Sequence, residues 1–126
     1  MLNVGIINIT GYAGSEIARL VYSHPELNLV SATGRIKAGQ YLDEVFPHRE
    51  KIKIKIQEER RDNVDVVFSA VPHAASAEKL SQYVDSGIPS IDISADFRLK
   101  DLGTYEEWYD IKHPRPELIS QATYGL

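Results

Sequence analysis

A chain of 126 residues fits one domain, and its formal net charge of −4 speaks against a general nucleic-acid binder, which needs a basic face to neutralise phosphates. The absence of cysteine excludes disulfides, thiolate metal sites and a thiol nucleophile within these residues. No apolar run is long enough to cross a bilayer, and MLNVGIINIT lacks the basic start and cleavage site of a secretory signal, so a cytosolic address and no membrane partner are expected.

Leu2 to Ile9 is almost continuously apolar and β-branched, as a strand buried on both faces is in parallel sheets covered by helices. Ala13, Ile17, Leu20 and Val21 then fall at helical spacing, and the pattern stops at Ser23-His24-Pro25, because proline discourages further helix. Leu27 to Thr33 is a second β-rich run, which completes a βαβ unit. Gly34 to His48 has little periodicity and predicts a long loop with a short helical turn. Lys51 to Ile56, KIKIKI, alternates charge and isoleucine like a half-exposed strand near a sheet edge, where lysines discourage unwanted pairing.

Val64 to Val71 predicts a buried strand ended by Pro72. Ala74 to Ser86 follows as a helix with Ala77, Leu80 and Val84 on one face, and Gly87 supplies its C-cap. Ile88 to Ile93 is another short strand, and Leu102 to Tyr109 the last expected helix, before proline-rich HPRPEL. Alternating buried strands and helices predict an α/β fold: a Rossmann-like, doubly wound, mainly parallel sheet in a single domain. Ligands of such sheets bind beyond the carboxyl ends of the strands.

The loop after the first strand reads Asn8-Ile9-Thr10-Gly11-Tyr12-Ala13-Gly14. It fits a G-x-x-G-x-x-G variant of the dinucleotide fingerprint with asparagine in first place. Gly11 would let the backbone approach a pyrophosphate, and Gly14 would let helix and strand pack closely. Amides of Thr10, Gly11, Tyr12, Ala13 and Gly14 are the candidate anion contacts at the helix start. Asn8 can replace glycine because asparagine enters the left-handed region more readily than most residues; packing alone is the competing explanation of the two glycines. A triphosphate loop would need G-K-[ST], and Gly14-Ser15-Glu16 lacks the lysine.

After the second strand a NAD site places a carboxylate, yet here stand Gly34, Arg35 and Lys37. A guanidinium binds a ribose 2′-phosphate that a carboxylate would repel, so NADP is the expected cofactor. A solvated loop arginine is the alternative.

The series VGIINITGYAGSE, HPELNLVSATGR with the AG that follows, VFPH, VDVVFSAVPHAAS, IDISADFRL, YEEWY, HPRPEL and TYGL resembles, in order, the N-terminal NADP-binding portion of the N-acetyl-γ-glutamyl-phosphate reductase family of arginine biosynthesis. The carrier-bound aminoadipyl-phosphate reductases of lysine biosynthesis share these motifs. Asn8 departs from the family, which usually has glycine there. The resemblance implies NADPH-dependent reduction of an acyl phosphate to a semialdehyde, by way of a cysteine thiolate in a substrate domain beyond the point corresponding to Leu126. This chain alone is then expected to bind cofactor without turnover, and to meet the small-molecule acyl phosphate only through that other domain. The resemblance also places Ala70, Pro72 and His73 beside the cofactor, Ser94 near the cleft, and Arg98 as the partner of an anionic substrate; an Asp96–Arg98 ion pair is the alternative for Arg98.

Ser94, Asp96 and His73 have the residue types of a hydrolytic triad, but no G-x-S-x-G elbow is present. The four histidines, His24, His48, His73 and His113, lack metal-ligand spacing. Tyr105, Trp108 and Tyr109 are read as core or interface, and exposed they would favour a homo-oligomer. A non-catalytic nucleotide-binding module on the same fold is the competing function.

Overall fold

A computed structural model of the chain describes residues 1–34, 39–45, 52, 54–57, 63–71, 75–94, 118, 121 and 122. Strand β1 is Leu2–Ile7, helix α1 Tyr12–Ser23, strand β2 Leu27–Thr33 and the short helix α2 Leu42–Val45. Strand β3 is Val66–Ser69, helix α3 Ala75–Asp85 and strand β4 Ser90–Asp92. All pairings are parallel, in the order β2-β1-β3-β4.

The alternation of side chains along the strands divides the core in two. Val4 and Ile6 of β1 pack with Ile17, Ala18 and Val21 of α1, whereas Ile7 and Val67 pack with Leu80 and Tyr83 of α3. Successive strand residues point to opposite faces, so the two helices cover opposite faces of the sheet, as in a doubly wound fold. A register shift between Val4 and Gly5 pairs Val4 with Leu29 but Gly5 with Ser31. The extra residue, Val30, resets the alternation, so that Ala32 faces the same cluster as Leu29.

The buried stripe of α1 is Gly14, Ile17, Ala18 and Val21. Leu20, expected on the apolar face, is 55% exposed, and Ala13 is exposed too. Close docking of Gly14 sets this rotation: a Cβ there would meet the Asn8 carbonyl oxygen at 2.3 Å. Helix α3 ends as its sequence predicts. Gly87 has φ +77, its amide donates to the Val84 carbonyl at 2.9 Å, and the Ile88 amide donates to the Tyr83 carbonyl at 2.9 Å. That pair of bonds is a Schellman motif, and Tyr83 and Ile88 share one apolar cluster across it. The side chain of Ala77, the Leu102–Tyr109 helix and the aromatic residues assigned to it lie outside the described residues.

Two strand expectations are corrected. β1 stops at Ile7 rather than Ile9 because Asn8 has φ 64, which no strand tolerates. Described residues 54–57, at the end of KIKIKI and just past it, form isolated bridges in place of the expected strand, Lys55 antiparallel to Tyr41 and Gln57 parallel to Thr33. Their amides and carbonyls are divided between the 39–42 loop and the end of β2, so no single neighbour extends a ladder. The expected alternation is still present: Ile52 and Ile56 are buried while Lys55 is exposed. Gln57 meets β2 through that one bridge and adds no strand to the four-stranded sheet.

Candidate functional site

In the order β2-β1-β3-β4 the chain leaves β1 toward one edge and returns to build toward the other. The topological switch point is therefore between the carboxyl ends of β1 and β3, where open α/β sheets bind ligands. Three loops converge there. The Ile9 amide donates to the Thr33 carbonyl at 2.9 Å, and the Ala70 amide to the Ile7 carbonyl at 3.0 Å. Thr10 and Gly34 face each other so closely that a Cβ on Gly34 would lie 2.8 Å from Thr10 Cγ2 and 3.1 Å from Ile56 Cγ2. Thr10, Gly11, Tyr12, Ala13, Gly14, Gly34 and Ala70, expected to share one site, thus lie at one end of the sheet.

Helix α1 begins immediately behind this crevice. Gly11 is its N-cap, no side chain caps it, and its first turn holds no acidic residue. Among the described residues, no side chain of the helix's own first turn sets a carboxylate against its positive end, the arrangement that receives an anion. The two glycines behave differently. Gly14 is required by the chain's own packing. Gly11 is not: its φ of −78 and ψ of 165 suit any residue, and the nearest atom to a Cβ there would be Asn8 Nδ2 at 3.7 Å. Apart from its two chain neighbours, no atom of the described residues comes closer than that to such a Cβ, and a bare backbone of this form is the kind of cradle that can approach a pyrophosphate.

Asn8, absent from the expected contacts, is the residue that joins the loops. Its Nδ2 donates to the Ala70 carbonyl at 3.1 Å, and its Oδ1 accepts from Thr10 Oγ1 at 3.3 Å. An asparagine standing where a glycine pattern is expected, between strand and helix, was the sequence signal for it.

Ser94 follows β4. Its amide donates to Asp92 Oδ1 and its hydroxyl to Asp92 Oδ2, both at 2.9 Å, so the side chain is oriented by Asp92. Arg35, Lys37, Pro72, His73, Asp96 and Arg98 lie outside the described residues. Among the described residues no group of acidic, histidine or cysteine side chains could hold a metal ion, and no helix is long and apolar enough to cross a membrane.

A groove of about 500 Å3 is lined by Tyr22, His24, Pro25, Leu27, Leu29 and Ile54, among others. It lies at the opposite, amino end of the strands, beside the last turn of α1, and offers no helix N-terminus. The chemistry of an anion site is at the switch point, not in this groove.

Comparison with known proteins places the chain in a family. The chain is 48% identical over 122 residues, 97% of its length, to an N-acetyl-gamma-glutamyl-phosphate reductase of Dehalococcoides mccartyi. It is 41% identical over 130 residues, spanning all of its length, to the enzyme of that name from Aromatoleum aromaticum. The chain covers 36% and 38% of those two relatives, so it spans little more than a third of their length. Among solved structures, aspartate semialdehyde dehydrogenase with NADP from Candida albicans shares the fold, with a TM-score of 0.64 at 23% identity over 78% of this chain and 31% of that one. Residues 3–126 match the family described as semialdehyde dehydrogenase, NAD binding domain, and to that family the chain belongs.

Proposed function

We propose that residues 1–126 are the NADP-binding domain of a two-domain N-acetyl-γ-glutamyl-phosphate reductase, a cytosolic enzyme that reduces an acyl phosphate to the semialdehyde and releases phosphate. The observation that carries the reading is Gly11, a glycine that neither its backbone angles nor its packing requires, at the uncapped start of α1 beside the switch point. The names of relatives at 41–48% identity supply the reaction.

In this reading the amides of Gly11, Tyr12, Ala13 and Gly14 hold the pyrophosphate, with Thr10 completing the loop. Gly34 lets the adenosine side of the cofactor approach β2, and Arg35, helped by Lys37, binds the 2′-phosphate. Ala70, Pro72, His73 and Ser94 line the nicotinamide side, and Arg98 meets the anionic substrate. The bound cofactor supplies hydride. The chain has no cysteine and so provides binding and orientation only; a thiolate that captures the acyl group must come from the second domain.

A fluorescence titration with NADPH and NADH tests the reading. NADPH is expected to bind at least about tenfold more tightly, as a charge-assisted phosphate contact would give, and Arg35→Asp is expected to abolish the difference. Equal affinities in the unaltered protein would overturn the NADP assignment, and no binding of either would overturn the dinucleotide reading.

A further inference from the structure

We propose that Asn8 is a positioning residue, a clamp that holds the anion loop in its binding shape before any ligand arrives. The proposal rests on the dinucleotide reading of the switch point and adds to it a device specific to this chain.

Three observations meet at this one residue. Asn8 has φ 64, the left-handed conformation that turns the chain out of β1 and toward α1. Its side chain, partly buried, spends both ends of its amide on different loops: Nδ2 donates to the Ala70 carbonyl beyond β3, and Oδ1 accepts from Thr10 in the anion loop. Its backbone carbonyl packs on the first turn of α1, where Gly14 makes room for it. Glycine would satisfy the turn but tie nothing: the backbone bond across the β1–β3 boundary here ends at Ile7, whose carbonyl accepts from the Ala70 amide, and it is the Asn8 side chain that carries the tie on to the anion loop. Asparagine is the side chain that combines tolerance of positive φ with a donor and an acceptor at fixed separation. The tie crosses the switch point, so it fixes the loop against the floor of the crevice. Preorganisation of this kind raises affinity by reducing the ordering that binding must impose.

Asn8→Gly is the direct test, because glycine accepts the same φ and the protein should fold. Two measurements separate this proposal from the reading on which it rests. In the ligand-free protein, amide hydrogen exchange of residues 9–14 should be at least about threefold faster in Asn8→Gly, the loss of one to two net hydrogen bonds. Asn8→Asp, which keeps the acceptor for Thr10 and loses the donor to Ala70, should fall between. With ligands, Asn8→Gly should weaken NADPH about threefold to tenfold while leaving adenosine 2′,5′-bisphosphate, which has no pyrophosphate bridge to a nicotinamide, unchanged. Unaltered exchange in residues 9–14 would overturn the clamp, and so would equal weakening of both ligands, the result expected of a merely structural residue. Should the unaltered protein bind neither ligand, the dinucleotide reading fails and exchange alone decides the clamp.

Discussion

A methyl group on Gly14 would lie 2.3 Å from the Asn8 carbonyl oxygen and 2.8 Å from Ile9 Cα, both backbone atoms. Neither can yield without moving β1 or α1, so Gly14→Ala should cost about 3 kcal/mol, at the upper end of overpacking penalties. A methyl group on Gly11 meets only ordinary contact, Asn8 Nδ2 at 3.7 Å, and Gly11→Ala should change stability by no more than about 1 kcal/mol, the difference between glycine and alanine at an N-cap. The binding effects should run the other way: Gly11→Ala should weaken NADPH at least about tenfold, because it fills the approach to the pyrophosphate. Urea unfolding and cofactor titration of the two variants check both statements. A large loss of stability in Gly11→Ala, with unchanged affinity, would return both glycines to a packing role.

At the scale of the elements, the sequence was legible where one rule acted alone. Gly87 followed an apolar helical pattern, and the Schellman motif it predicts is present. Gly87→Ala, with no neighbour within 4 Å of the added Cβ but φ held at +77, should therefore cost about 1 kcal/mol through backbone conformation alone; a lowered thermal midpoint with unchanged cofactor affinity is the expected result. Legibility failed where two signals competed. Ile9 reads as strand because it is apolar, and it is fully buried, yet the positive φ of Asn8 has already ended β1. In the stripe of α1, Ile17 and Val21 are buried as read, but Ala13 and Leu20 are not, because glycine carries no hydrophobic signal and Gly14 is the residue on which the helix docks. The bulge opposite Gly5 has no mark in LNLVSAT, since Val30 and Ser31 are ordinary strand residues. KIKIKI shows its alternation plainly, but no sequence rule tells that its partners come from two segments.

For the whole molecule, the parallel sheet and the convergence of the loops after β1, β2 and β3 at one end followed from the alternation of strands and helices, whereas the order of the strands has no mark in the sequence. That the anion loop and Gly34 lie together at that end was legible because turn chemistry and spacing mark them. Asn8 was legible only as a tolerated substitute: its hydrogen bond to Ala70 spans 62 residues of sequence, and no local pattern encodes a contact so distant. The fold presents two ends to a ligand, the switch point with the start of α1 and the groove beside Pro25 and Leu27. The most direct measurement is therefore a map of backbone amide shifts in the 15N-labelled protein on addition of NADP+. The account predicts the largest changes at Gly11, Tyr12, Ala13, Gly14 and Gly34, with Tyr22, Leu27 and Leu29 unmoved; changes concentrated at Tyr22, Leu27 and Leu29, or none anywhere, would contradict it.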